Sequence, residues 1–241
     1  IELEVDCGGC YGDNAISILE IANHTDEHIY IKRDGSIDDG FEIVTHPMSY
    51  YYHMNCMPWQ SIMSKCVSLG YRSHQTSTCG LHIHIGRNSL GKDKPQQEET
   101  ISRILYFTEK HWDEILKFSR RTQNQINRWA RRYGYKNNPT EVLDYAKEAP
   151  NGRYSAINLL NTATIEFRLF RGTLKYKTFV ATLQLVEEIC KVSKSMSDEA
   201  MQDLSWQSFV SSITGKPELI EYLKLHSLYI NEPYNDEEDD I

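Results

Sequence analysis

The sequence has 241 residues, a formal net charge of −8 and 40% hydrophobic residues, a composition typical of globular proteins. Its length suits one large domain or two small ones, and no apolar run reaches the roughly 20 residues of a membrane-spanning helix. The acidic balance disfavours a nucleic-acid partner, although it allows an anionic substrate because local fields decide which small ligands bind. We therefore expect a globular protein with neither a nucleic-acid nor a membrane partner.

We expect a single domain over residues 1–230 and an acidic tail over residues 231–241. Residues 236–240 are all acidic, and such charge runs are typical of solvated segments. The chain opens on the strand-like segment Ile-Glu-Leu-Glu-Val, which predicts that the domain starts upstream of the first residue. The six cysteines form no dense framework, which predicts reduced thiols and a cytoplasmic protein.

Strand patterns dominate the first third of the sequence. Short runs alternate apolar with polar residues, and Asp34-Gly35-Ser36 separates two of them as a turn, which is typical of antiparallel strands. A helix is predicted from Pro58, where apolar residues recur at helical spacing. The strands are expected at residues 1–6, 29–32, 41–45 and 80–85.

The remainder of the sequence favours helices, with two strands between them. Apolar residues at helical spacing follow Pro95 and predict a long amphipathic helix. It continues through the basic residues 120–132, whose arginines are expected on a solvated face, with some available to line an anion pocket. Further strands are expected at residues 154–160 and 163–170, a second long helix at 176–195, and short helices around 141–147 and near the end. This order predicts the α+β class, with a largely antiparallel sheet packed on two long helices.

Three of the predicted strands place apolar residues on one face and charged residues on the other. Successive side chains of a strand point to opposite faces, so the apolar faces would pack on the helices and the charged faces would lie together. An ordinary solvated sheet face mixes Lys, Thr, Ser and Glu, and these charged faces lack the first three. They hold Glu2, Glu4 and Asp6, then His82 and His84, then Glu166 and Arg168, while Glu42 has the same setting on a fourth strand.

Clustered carboxylates of this kind predict a divalent cation. Residues two apart in a strand lie about 7 Å apart, and their like charges repel unless a cation or a basic group lies between them. Mg²⁺ and Mn²⁺ bind carboxylates together with substrate phosphates, and Arg168 and Arg171 would donate to phosphate oxygens. Cross-strand salt bridges on a surface explain any one strand equally well, but the pattern on three strands favours a metal-dependent site that binds phosphate.

Five motifs follow one another along the chain. They are Ile-Glu-Leu-Glu at residues 1–4, Lys32-Arg33-Asp34-Gly35-Ser36 with Glu42-Ile43-Val44-Thr45, Cys79-Gly80-Leu81-His82-Ile83-His84, Arg153-Tyr154 with Asn158-Leu159, and Thr164-Ile165-Glu166-Phe167-Arg168-Leu169-Phe170-Arg171-Gly172-Thr173. In number and order they resemble the putative amidoligase family of glutamine synthetase-like carboxylate–amine ligases, over residues 1–195. The resemblance implies a glutamine synthetase-like catalytic fold, a curved and largely antiparallel sheet whose concave face holds the site.

The resemblance also implies an activity and a set of ligands. ATP with two or three Mg²⁺ or Mn²⁺ ions would phosphorylate a carboxylate, and an amine or ammonia would then attack the acyl phosphate. The substrates would be small molecules, peptides or protein side chains, and the protein could form an oligomer. The implied metal ligands are Glu2, Glu4, Glu42, His82 and Glu166; the implied nucleotide-phosphate contacts are His82, His84 and Arg168; the implied catalytic groups are Arg153, Arg168 and Arg171.

Three other functions remain compatible with the same residues. A phosphotransferase resembling the guanidino kinases would stop at a phosphorylated acceptor. A catalytically silent binding module would keep the fold alone, and a metal-dependent hydrolase would use the carboxylate–histidine cluster to activate water. The product of the reaction, an amide or a phosphorylated acceptor, distinguishes the first function from the ligase.

Overall fold

The computed structural model describes residues 1–229, and the predicted acidic tail over residues 231–241 lies outside them. Among the described residues, no helix combines the length and the apolar character that crossing a membrane requires. All six cysteines are free thiols, as their spacing predicts. The chain is a mixture of helices and one antiparallel sheet, so the predicted α+β class is confirmed.

The sheet has six strands in the order β2-β3-β1-β4-β6-β5, and every neighbouring pair is antiparallel. The first strand of the chain is therefore central, between the third and the fourth. The strands are β1 (Glu2–Val5), β2 (Ile29–Lys32), β3 (Phe41–Thr45), β4 (Gly80–Gly86), β5 (Ile157–Asn158) and β6 (Thr164–Arg171).

Helices lie between these strands and follow the last of them. The two longest helices among the described residues are α5, with 17 residues, and α9, with 20. The helices are α1 (Gly12–Ala22), α2 (Tyr50–Asn55), α3 (Trp59–Ser68), α4 (Arg87–Leu90), α5 (Lys94–Lys110), α6 (Trp112–Ser119), α7 (Gln123–Trp129), α8 (Pro139–Lys147), α9 (Tyr176–Ser195), α10 (Asp198–Asp203), α11 (Trp206–Ser212) and α12 (Pro217–Leu225), with a 3-10 turn at Gly152–Tyr154.

The helix predicted from Pro95 begins where expected and ends earlier than expected. Asp93 caps α5 by accepting a hydrogen bond from the Gln96 N–H at 3.0 Å, and Pro95 suits the first turn because its missing N–H would have no helical partner. The helix breaks at His111, and α6 ends at Arg120, whose left-handed backbone (φ 61°) stops the helical path. The prediction of one helix through residues 120–132 is therefore wrong.

One continuous hydrophobic core lies behind the sheet. It joins the apolar faces of the strands to the inner faces of α3, α5, α6 and α9. Leu3, Ile43, Leu81 and Ile165, one from each of four strands, have no exposed surface. The apolar half of the predicted alternation is thus buried, and this burial fixes the charged half on the opposite face of the sheet.

Strand β6 contains a bulge that changes which of its residues face the charged side. Between the pairs Ile83–Phe167 and Gly80–Arg171, β4 advances three residues and β6 advances four. A bulge of this kind inserts one extra residue and shifts the alternation that follows it. Arg171 consequently lies on the same face of the sheet as Arg168, although strict alternation would place it toward the core.

Candidate functional site

Strand pairing collects charged side chains from distant parts of the chain on one face. Glu4 pairs with Glu42 across β1 and β3, and Glu2 pairs with His82 across β1 and β4. In the next pair of strands, His84 lies opposite Glu166. Directly opposed residues of antiparallel strands have Cβ atoms about 5 Å apart, so these side chains form one cluster.

Glu166 lies among three polar partners. Its Oε2 accepts a hydrogen bond from Asn158 Nδ2 at 2.8 Å, and its Oε1 pairs with Arg168 and lies 3.4 Å from His82 Nδ1. These partners hold the carboxylate in one orientation. They also compensate for its burial, since the residue is only 5% exposed. Glu166 therefore stays satisfied in the interior of the site, as buried charged groups require.

Glu2 lies between the two histidines of β4. Its carboxylate oxygens lie 3.2 Å from His82 Nδ1 and 3.3 Å from His84 Nε2. Burial opposes the ionisation of Glu2, but the hydrogen bonds and charges of the two imidazoles outweigh it and hold the pKa of this carboxyl well below its usual range. Glu2 is thus a carboxylate at neutral pH.

Glu4 and Glu42 form a more deeply buried pair. Glu4 accepts a hydrogen bond from the Gly80 N–H, and Glu42 Oε2 lies 3.2 Å from Lys32 Nζ. Burial, together with the charge of Glu2, raises the pKa of Glu42 to about 7, against the opposing effect of Lys32. Carboxylates held this close together and away from water favour a cation between them.

These residues form two groups suited to a divalent cation. Glu2, His82 and Glu166 make the first, and Glu4, Glu42 and His82 make the second; in each group the ligand atoms lie within 4.8 Å of one another. Carboxylate oxygens match the preference of Mg²⁺ and Mn²⁺, and the imidazole nitrogen adds a donor that transition ions accept. The donor chemistry of the site therefore fits the predicted ions.

Arginines gather at the end of the cluster where β4 begins. Arg168 approaches Glu166 on the charged face, and Arg121 is 5% exposed beside Gly80 and His82. Arg171 lies close enough to lower the pKa of Arg121 by its charge, but it is not among the residues that line the cavity next to the carboxylates. The site thus places guanidinium groups directly beside its carboxylates.

Carboxylates and guanidinium groups together line a cavity of about 190 Å³. At its mouth, Arg153 donates to the Tyr154 hydroxyl at 3.1 Å and stacks over the Tyr154 ring at 5.0 Å, and Trp129 packs edge-on against the same ring. The lining residues are Glu2, Glu4, Lys32, Asp34, Ser36, Glu42, Thr78, His82, Arg121, Trp129, Arg153, Tyr154, Asn158, Glu166 and Arg168.

The structure brings most of the predicted site residues together. The five proposed metal ligands, Arg153 and Arg168 all line this cavity, whereas His84 lies beside it, in contact with Glu2, Glu166 and Thr164. The residues that sequence reasoning missed are chiefly Thr78, Arg121 and Trp129. Arg121 belongs to the basic stretch considered for an anion pocket, but nothing in its spacing distinguished it from Arg120 or Arg128.

Comparison with known proteins adds one match. The model of the family described as putative amidoligase enzyme matches residues 23–190. No curated protein and no solved structure matched the chain in the corresponding searches. The matched segment contains β2 to β6, while Glu2 and Glu4 lie before it and join the site through the pairing of β1. Since the family model covers more than half of the sequence, the chain belongs to the putative amidoligase family.

Proposed function

We propose that the protein is an ATP-dependent carboxylate–amine ligase that acts through an acyl phosphate. The observation that carries this proposal is a single cavity lined by four carboxylates from β1, β3 and β6 and by Arg121 and Arg168. Phosphoryl transfer depends on positioning and on neutralising charge more than on covalent catalysis. Membership of the putative amidoligase family supports the ligase class.

The carboxylate cluster of the cavity would hold the divalent ions. Glu2, Glu4, Glu42, His82 and Glu166 are the residues placed to bind them. When bound, Mg²⁺ or Mn²⁺ would neutralise charge on the nucleotide phosphates and act as a Lewis acid toward the phosphoryl group. The carboxylates themselves bind and orient, and none is placed as the nucleophile in this proposal.

The basic groups of the cavity would bind the phosphates and the activated carboxylate. Arg168 presents its guanidinium beside Glu166, and Arg153 lies at the mouth, where Tyr154 orients it. Guanidinium groups match phosphate oxygens in geometry as well as charge. Trp129 and Tyr154 offer aromatic faces next to them, to which the adenine ring of ATP would be suited.

The reaction balances without a further reactant. A substrate carboxylate oxygen attacks the γ-phosphorus of ATP, the bond to the bridging oxygen breaks, and ADP leaves. The amine lone pair then attacks the acyl carbon, phosphate leaves with the oxygen that came from the carboxylate, and the amine loses one proton. The products are an amide, ADP and phosphate.

The fate of the carboxylate oxygen tests this proposal. The protein is incubated with Mn²⁺, ATP and a panel of ¹⁸O-labelled carboxylic acids, with hydroxylamine as a reactive amine. We expect a hydroxamate and phosphate that carries ¹⁸O. A phosphorylated acceptor in place of the hydroxamate would identify a guanidino kinase-type phosphotransferase, and hydrolysis of ATP without label transfer would contradict the acyl phosphate.

A matched pair of variants ties the chemistry to this cavity. Glu166→Gln removes a proposed metal ligand, whereas Glu221→Gln changes an exposed residue of α12 that pairs with Lys177. We expect the first to abolish hydroxamate formation and the second to leave it unchanged. Equal activity in both variants would place the reaction elsewhere.

A further inference from the structure

Arg121 is a buried cation, and two of its three side-chain nitrogens have no hydrogen-bond partner among residues 1–229. It is 5% exposed, and within residues 1–229 its Nε and Nη1 find no hydrogen-bond partner. Burial lowers the pKa of the guanidinium to about 10, with Arg168 and Arg171 acting in the same direction and Glu4 opposing them. Arg121 is therefore still charged at neutral pH, and buried charged groups are normally paired.

The chain makes room for this side chain next to the carboxylate cluster. A Cβ atom at Gly80 would lie 2.5 Å from Arg121 Nη2 and 2.7 Å from His82 Nε2. Only the absence of a side chain at Gly80 lets the guanidinium approach the strand this closely. The arginine is thus built into the wall of the cavity and does not reach it from solvent.

Two other polar atoms without a partner belong to residues that line the same cavity. The Oγ1 of Thr78 and the Nε of Arg168 are buried, and neither has a hydrogen-bond partner in the described part of the chain. Thr78, Arg121 and Arg168 are all among the lining residues. Three residues with such atoms around one cavity call for a common acceptor, because buried polar groups in proteins are almost always hydrogen-bonded.

The charge and shape of the missing acceptor follow from these donors. Two guanidinium groups select an anion, and their planar N–H groups match the oxygens of a carboxylate or a phosphoryl group. The threonine hydroxyl adds a neutral donor, which suits a ligand with several oxygens on one centre. The nearby carboxylate of Glu4 already accepts the Gly80 N–H, and no salt bridge links it to Arg121.

We propose that Thr78, Arg121 and Arg168 form an oxyanion-binding pocket, with Arg121 as its principal residue. The assignment of the oxyanion as the substrate carboxylate or the transferred phosphoryl group rests on the proposed ligase function. The binding of an oxyanion as such does not. Arg121 would then hold the reacting group next to the carboxylate cluster, while Arg153 binds at the mouth.

The test uses the Nε–H resonance of Arg121 in the metal-free and nucleotide-free protein. The resonance is assigned by its loss in Arg121→Lys. Separate NMR titrations with inorganic phosphate and with acetate then measure whether its chemical shift changes and whether that change saturates. We expect a saturable shift with one or both anions and at least tenfold weaker binding in Thr78→Val. A shift with phosphate alone would assign the phosphoryl group, and a shift with acetate alone the substrate carboxylate.

Arg120→Lys is the matched control, because the Arg120 side chain turns the other way, toward His74 Nδ1 at 3.0 Å and the Arg171 carbonyl at 3.2 Å. Binding should persist in this variant. If neither anion moves the Arg121 resonance, or if Thr78→Val and Arg120→Lys weaken binding equally, the pocket is not an oxyanion site. Since the titration needs no ATP or turnover, its result is separable from success or failure of the ligase assay.

Discussion

Glu166 shows how single side chains set the chemistry of this site. Its two oxygens are engaged by Asn158 and Arg168, so it would enter the proposed metal binding with a fixed orientation. Partners of this kind affect metal affinity by about 10- to 100-fold in other sites. The carboxylate and its neighbours must therefore be considered together when the site is altered.

Glu166→Gln is expected to weaken Mn²⁺ binding at least about tenfold, because an amide keeps the shape of the side chain and loses the charge. Electron paramagnetic resonance of free Mn²⁺ during a titration measures the change. Glu221→Gln serves as the control for a glutamate outside the cavity. An unchanged affinity in Glu166→Gln would remove this residue from the metal site.

Gly80→Ala is expected to impair the site while leaving the fold nearly intact. The added methyl group would displace the ends of two flexible side chains, Arg121 and His82, and no backbone atom is among its nearest neighbours. We expect the ligase activity to fall at least about tenfold with a change in unfolding free energy below about 1 kcal/mol. Activity assays and urea denaturation separate the two quantities, and a large loss of stability with normal specific activity would contradict this account.

At the scale of elements, alternation within strands predicts most of the site. Burial of residues such as Leu3 and Leu81 fixes the face on which Glu2, Glu4 and His82 lie, and that face could be derived from period two alone. The bulge in β6 could not be derived from the alternation, since it depends on how two distant strands pair. It explains why both Arg168 and Arg171 face the charged side although they are three residues apart.

Arg121 is a site residue that the sequence alone could not predict. Helical spacing of the preceding apolar residues predicts a helix that runs through the basic stretch, with its arginines in solvent. The left-handed backbone at Arg120 ends α6 instead, and this local conformation directs the next side chain inward. The sequence likewise does not predict helix α1. Only Ile18 and Ala22 of its residues are buried, so the apolar residues at helical spacing are too few to indicate a helix.

The core side of β4 gives a prediction for this element. Leu81 has no exposed surface and pairs with Leu3 and Phe170, so Leu81→Ala leaves a cavity beneath the site. We expect a loss of about 2–5 kcal/mol in unfolding free energy, measured by urea denaturation. Leu160→Ala, at a leucine that is 56% exposed, should cost less than about 0.5 kcal/mol; similar losses in both variants would contradict the buried position of β4.

At the scale of the whole molecule, the order of strands joins the two halves of the chain. Strand β1 brings Glu2 and Glu4 between β3 and β4, and β6 brings Glu166 and Arg168 from beyond residue 160 to the other side of β4. The site therefore exists only when the entire sheet has formed. Conditions that unfold the core should remove metal binding at the same midpoint.

Acid is one such condition, and two buried histidines contribute to the loss of stability that it causes. Burial lowers the pKa of His111 to about 4, and its Nε2 lies 3.1 Å from the Leu204 carbonyl oxygen, to which the neutral ring can donate. Burial likewise lowers the pKa of His53 to about 4. The unfolded chain binds protons at these rings near pH 6.5, so the folded state binds fewer protons between pH 6.5 and 4.

These histidines consequently contribute fully to the free energy of unfolding above pH 6.5, and this contribution is lost as the pH falls toward 4. Each histidine lowers the unfolding free energy by up to about 1.4 kcal/mol per pH unit in this window. In urea denaturation at a series of pH values, His111→Gln should therefore show a shallower decline than the unaltered protein, since glutamine can still donate to Leu204 and does not titrate. His24→Gln, at an exposed position, should reproduce the original slope. The glutamine of His111→Gln binds no proton in either state and cannot contribute to the slope. If this variant keeps the original slope as well, the acid sensitivity arises from groups other than His111.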